Sequence, residues 1–214
     1  MDKCRCQEVN PVVLAKNGGR YLDTVKRVGG GFGGKLSGDG YARNPAKPVS
    51  CNLHRNDDVA ITGKRHPVLV DYRVGFDESG RVQAIHTTVY LDRGFSTDHT
   101  FSVMWLLCVT ADSYFNIPNF RCEGYSMKTN TCSHTAFRGY GRPQSFFIME
   151  SIMNHVADAT VKTVTEIKEL NMATEGHVCL MGMKLHNDCL KECWSQVKKM
   201  AQVENLQMEV HEFN

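Results

Sequence analysis

Two glycine-broken segments hold the groups with most to offer chemically. The first, GGGFGGKLSGDG at residues 29–40, spells G-x-G-x-x-G at Gly29, Gly31 and Gly34 and most of G-x-x-x-x-G-K-[ST], ending on Lys35. Both spellings describe a backbone that cradles phosphate with its N–H groups. Neither is completed here. A P-loop needs Ser or Thr after the lysine to hold magnesium, and Leu36 stands there. Both also need a helix behind the glycines, and the following LSGDGYARNPAKP, with Gly38, Gly40, Pro45 and Pro48, interrupts any long helix. Two readings then stay open. One is a turn that must pass through φ > 0 at several places. The other is a loop whose bare backbone approaches something bulky and displays Phe32 among exposed N–H groups. Five glycines around one Phe exceed what a turn requires, because each loses more conformational entropy on folding than another residue would.

The second segment, TAFRGYGRPQ at residues 135–144, places Arg138, Tyr140 and Arg142 between glycines just before a helix expected to start at Pro143. Exposed amides, a helix N-terminus and a guanidinium together suit an oxyanion or phosphate. Arg138 taken alone reads equally well as a surface salt-bridge partner.

The elements that must position these loops follow from pattern. Val68, Val70, Tyr72, Val74 and Phe76 alternate with polar or small residues, Asp77–Gly80 makes a turn, and Val82–Leu91 returns, which predicts an antiparallel hairpin. Short strands are expected at 23–28, 49–53 and 121–128, and a helical turn or two over 101–108. After Pro143, an apolar stripe of Phe146, Phe147, Met149, Ile152, Met153 and Val156 predicts a helix. Thr163-x-x-Glu166 spells a capping box for a second helix. A third is expected from Asn187 or Asp188, with Leu190, Cys193, Trp194, Val197, Met200 and Ala201 on one face. The fold class is α+β, strands in the first two thirds and helices in the last, with no internal repeat.

Composition bounds the function. At 214 residues and 42% hydrophobic, the chain can bury a core, and a net charge of +2 with both signs interspersed gives no field for binding a nucleic-acid backbone. There is no apolar run of membrane-spanning length and no apolar leader in MDKCRCQEVN, so the chain reads as soluble and cytoplasmic. Nine scattered cysteines, with no C-x-x-C, read as reduced and mostly buried thiols. Cys189, Cys193 and His186 could share a metal, but the packed face beside Trp194 accounts for the two cysteines more simply.

VKRVGGGFGGK, ITGKRHPVLVDYRVGFDESGRV, FNIPNF, MKTN and HTAFRGYGRPQ, in this order, resemble the molybdenum-cofactor domain of the xanthine dehydrogenase and aldehyde oxidase family, from about Tyr21 to the C-terminus. The resemblance implies an incomplete molybdenum-cofactor-binding domain of that type. It divides the chain into a short segment at 1–20 without clear pattern, a molybdopterin-binding α+β domain at 21–158, and a helical segment at 159–214 leading into a second molybdopterin-binding half. It implies an oxidoreductase that hydroxylates an aldehyde or N-heterocycle carbon with water-derived oxygen. Gly31, Phe32, Gly33 and Arg138 would hold the molybdenum–molybdopterin cofactor, with Phe32 and Arg138 reaching the metal through cofactor oxygens. Tyr140 would stand where an aromatic sandwiches the substrate ring.

Leu36 and Leu106 occupy positions where xanthine-oxidising members carry Glu and Arg. The resulting apolar pocket implies an aldehyde substrate rather than xanthine. The family's catalytic Glu, its FAD and its 2Fe-2S clusters find no counterpart in this sequence, so no general base is assigned. Family members are homodimers, and this chain would need further segments or a partner to complete the site. The alternative is a non-catalytic protein of the same fold, kept as a binding or interaction module.

Overall fold

The computed structural model describes residues 15–17, 20–22, 54, 56–57, 63–186 and 188–213. The glycine-rich segment at 29–40, including Gly31, Phe32, Gly33 and Leu36, and the strands expected at 23–28 and 49–53 lie outside these residues. β1 (Ala15–Asn17), inside the segment 1–20 that shows no clear pattern, pairs antiparallel with β2 (Arg20–Leu22), which runs past its end, Ala15 opposite Leu22.

β3 (Val68–Phe76) and β4 (Val82–Gly94) form the expected hairpin, and β5 (Asn119–Lys128) completes a sheet of order β3-β4-β5. β5 begins two residues earlier than the pattern indicates. Along β4, Ile85, Thr87, Val89 and Leu91 are buried in alternation, as a strand with one covered face requires. The helices are α1 (Thr100–Val109), α2 (Arg142–Thr160), α3 (Val164–Asn171), α4 (Leu190–Met200) and α5 (Val203–Phe213).

The chain forms two compact units. One comprises Met1–Asp71, Thr88–Cys108 and Glu123–Gln144, and the other Tyr72–Thr87, Val109–Cys122 and Ser145–Asn214. In the second unit the core gathers Val82, Ile85, Phe115, Ile117, Met149, Ile152, Met153, Val156, Ala157 and Ile167. The buried stripe of α2 runs through Ser145, Met149, Ile152, Met153 and Val156. Phe146 and Phe147 were expected on that stripe but are exposed, 43% and 74%. They sit one and two positions past Ser145, which turns them about 100° and 200° away from it around a helix. Ser145 tolerates burial because it hydrogen-bonds Thr110 Oγ1 at 3.1 Å.

The capping box at Thr163 is present in both directions. At the other end of α3 the fully buried Asn171 accepts from Val82 N at 2.8 Å and donates to Gly80 O at 3.0 Å and Ile167 O at 2.9 Å. One amide thus satisfies the hairpin's return strand and the helix end together. Gly80 itself sits at φ +82 in the hairpin turn, the conformation that favours glycine.

The third expected helix, α4, differs from its sequence reading. Cys189, rather than Asn187 or Asp188, is its N-cap residue, although Asp188 Oδ1 accepts from Leu190 N at 2.9 Å. None of its residues is buried, and its apolar residues Val197 and Met200 are exposed. Trp194 and Lys198 instead converge on Glu169 Oε1 at 2.6 and 2.7 Å. The expectation of mostly buried thiols is likewise corrected. The six described cysteines are free, but Cys132, Cys189 and Cys193 are exposed and Cys108, Cys122 and Cys179 are half-buried. Solvent faces α4, so its two cysteines have no core to enter.

Candidate functional site

The loop at 135–141 takes its shape from two linked turns. Tyr140 N donates to Phe137 O at 2.7 Å, with Gly139 at φ +87 in the third position, the place where a turn of this hand favours glycine. Arg142 N then donates to Gly139 O at 3.0 Å. Tyr140 is also left-handed, at φ 60. A non-glycine residue there is strained by about 1–2 kcal/mol, and such residues concentrate at functional sites.

Backbone contact with α1 seats the loop. A Cβ on Gly141 would stand 2.3 Å from Val103 O and 2.7 Å from Leu107 N, so only glycine allows the chain to lie directly on this helix. Leu106 lies, half-buried, in the same turn of α1. The residue after Tyr140 and the helical turn that carries Leu106 are therefore held together by backbone.

A second segment supports the loop. Residues 64 and 134 form a parallel bridge, and Thr135 N donates to Lys64 O at 3.0 Å. This brings Arg65 beside the loop, where Nη2 donates to the carbonyl of Arg138 and the guanidinium lies over the Phe137 ring, 5.0 Å from its centroid. His66 follows, 2% exposed, with Nε2 and Thr100 Oγ1 2.9 Å apart and its ring 5.9 Å from that of His134. Burial, with His134 adding repulsion, lowers the His66 pKa to about 4, so the imidazole is neutral at physiological pH. His134 reaches toward Asp92, 3.7 Å away. Burial works against the charged form of Asp92, but hydrogen bonds from the Thr129 hydroxyl at 2.7 Å and the Gly94 amide at 2.8 Å outweigh it and lower the pKa.

Around this loop several buried polar atoms have no partner among the described residues: Arg65 Nη1, His66 Nδ1, His134 Nδ1, Thr135 Oγ1 and Gln144 Oε1. Buried polar groups are rarely left so. Donors and acceptors clustered at one loop fit a polar ligand with many hydrogen-bonding groups and anionic oxygens.

Of the residues singled out from sequence, the structure places Arg138 and Tyr140 together on the loop, exposed and half-buried, and Leu106 on the helix beneath it. Arg65 and His66 were not singled out, because each reads locally as one charged or polar residue before Pro67. The string GKRHP carries no periodicity that would mark them. Among the described residues no group of three or more His, Cys, Asp or Glu is placed to hold a metal ion, and Cys189, Cys193 and His186 form no such group.

Comparison with known proteins agrees with the resemblance read from the motifs. The family described as "Molybdopterin cofactor-binding domain" matches residues 22–172. The chain is 42% identical over 203 residues to "Probable aldehyde oxidase gad-3" of Caenorhabditis elegans, covering 91% of this chain and 16% of that protein. It is 38% identical to "Xanthine dehydrogenase/oxidase" of Felis catus, covering 91% of this chain and 15% of that protein. The aldehyde oxidoreductase of Desulfovibrio gigas superposes with a TM-score of 0.71 at 24% identity, over 83% of this chain and 20% of that one. The chain thus spans about a sixth of the length of these curated relatives. Its motifs, its fold and the match over 22–172 agree, and the chain belongs to the molybdopterin cofactor-binding domain family.

Proposed function

We propose that this chain forms one side of the cofactor site of a molybdenum hydroxylase acting on an aldehyde or N-heterocycle. The observation that carries this reading is the set of buried, unpartnered polar atoms beside a strained, guanidinium-braced loop. When bound, the molybdenum–molybdopterin cofactor supplies the oxidation of a substrate carbon with water-derived oxygen. The chain's own residues bind and orient. Arg138 and the loop amides would hold the cofactor's anionic oxygens, and the glycine segment with Gly31, Phe32 and Gly33 would approach it with further N–H donors.

Tyr140 would lie against a planar substrate, its aromatic face matched to a ring or a conjugated carbonyl. Leu106 and Leu36 would line the pocket and exclude water, favouring an apolar aldehyde over a purine that needs charged partners. Identity is higher to the aldehyde oxidase than to the xanthine dehydrogenase named above, in keeping with this choice.

The test is molybdenum and pterin content per chain after expression in a host that makes molybdopterin, beside Arg138→Ala. Near-stoichiometric metal and pterin in the wild type, reduced in the variant, is the expected result. Neither metal nor pterin in the wild type would overturn the reading.

A further inference from the structure

Arg65 lies 73 residues from Arg138 in sequence and makes two distinct contacts with its loop, one to the Arg138 carbonyl and one to the face of Phe137. The Arg138 carbonyl belongs to the same planar trans peptide as Gly139 N–H, so fixing the oxygen points that N–H the opposite way. A cation on the oxygen also polarises the peptide and makes the N–H a stronger donor toward an anion. Among the described residues Gly139 N has no hydrogen-bond acceptor. The neighbouring Tyr140 is left-handed and persists only if its surroundings hold it there.

We propose that Arg65 is the positioning residue of this loop, gripping the Arg138–Gly139 peptide from behind so that Gly139 N–H and Tyr140 face the bound anion and substrate. The inference rests on the cofactor reading above for what the loop presents, but not for how the loop is held. Lysine would not replace it fully, because only a planar guanidinium lies flat on a ring while donating from its edge.

The experiment is amide hydrogen exchange by mass spectrometry on cofactor-free wild type, Arg65→Met and Arg65→Lys, with molybdenum and pterin content measured on the same chains from a molybdopterin-making host. Arg65→Met keeps most of the stem's packing and removes the donor and the charge. Its melting temperature should stay near wild type while exchange at 137–141 speeds up by about tenfold or more, the scale of one lost charged hydrogen bond, and cofactor content falls. Arg65→Lys should lie between. Unchanged exchange at 137–141, or equal acceleration across the 68–94 hairpin, would overturn the assignment. Should Arg65→Met fail to fold, Phe137→Leu removes the ring under the guanidinium, and faster exchange confined to 137–141 supports the proposal while none refutes it. Exchange is read without cofactor, so wild type lacking molybdenum would sink the cofactor reading and leave this result standing.

Discussion

Replacing Gly141 by alanine adds one methyl group where the structure has no room. The new carbon would stand 2.3 Å from Val103 O, 2.7 Å from Leu107 N and 2.9 Å from Leu107 Cβ. Two of these three neighbours are backbone atoms of α1, which cannot swing aside as a flexible side-chain end can. Real Cβ atoms do not approach closer than 3.0 Å, so the helix or the loop must retreat by about 0.7 Å at the carbonyl contact alone. Overpacking of this kind costs about 1–3 kcal/mol. In a chain of this length about 2 kcal/mol lowers the melting temperature by roughly 4–8 °C.

The assay is thermal unfolding followed by circular dichroism, with Gly75→Ala as the control. A Cβ on Gly75 would meet only Ala84 O at 4.0 Å, and no positive φ constrains the position. That control should be neutral or stabilising by about 0.4–1 kcal/mol through the unfolded chain. Hydrogen exchange should place the damage of Gly141→Ala in α1 and in 135–141. A Gly141→Ala protein as stable as Gly75→Ala, with α1 exchange unchanged, would refute the claim that backbone contact seats the loop.

Three further expectations follow from the same contacts. Asn171→Leu leaves Val82 N and Gly80 O buried without their partner, a loss of about 3 kcal/mol in urea unfolding; a loss below about 1 kcal/mol would mean water or a neighbour replaces the amide. His66 is neutral in the folded chain down to about pH 4 but titrates at 6.5 when unfolded. Above pH 6.5 it therefore adds no pH dependence. Between 6.5 and 4 the unfolded state takes up a proton that the folded state refuses, so stability falls by up to about 3 kcal/mol as pH drops. His66→Gln should flatten that window in urea titrations at pH 7.5, 5.5 and 4.5, and an unchanged slope would assign it to other groups. Tyr140→Ala removes the aromatic face while alanine must take over the left-handed backbone position, so it should weaken a planar substrate's binding in the complete enzyme while cofactor content stays near wild type; loss of cofactor instead would move Tyr140 to the cofactor side.

What the sequence disclosed was what local pattern encodes. Alternation at Val68–Phe76 and again from Val82 revealed the hairpin, and Thr163 with Glu166 revealed a helix start, because both signals lie within a few residues. The motif string identified the family and with it the loop at 135–144. Hidden from view were contacts whose partners lie far apart in the chain. Arg65 reaches Arg138 across 73 residues and Asn171 reaches Val82 across 89, and no local periodicity records either. Gly141 was visible as a glycine, but its reason, the backbone of α1, is a tertiary fact. Composition misled at Phe146 and Phe147, where aromatic identity suggested burial that the helix phase assigns to Ser145, and at α4, where an amphipathic pattern meets solvent.

The most direct test of the central claim, that the loop at 137–141 holds the molybdenum cofactor, compares amide exchange in the same chain purified from a host that makes molybdopterin and from one in which its synthesis is blocked. Slower exchange at 137–141 in the first preparation alone, with the 68–76 strand unchanged between them, is the expected result. Molybdenum and pterin bound to the chain while 137–141 exchanges identically in both would contradict it, because the cofactor would then sit somewhere else.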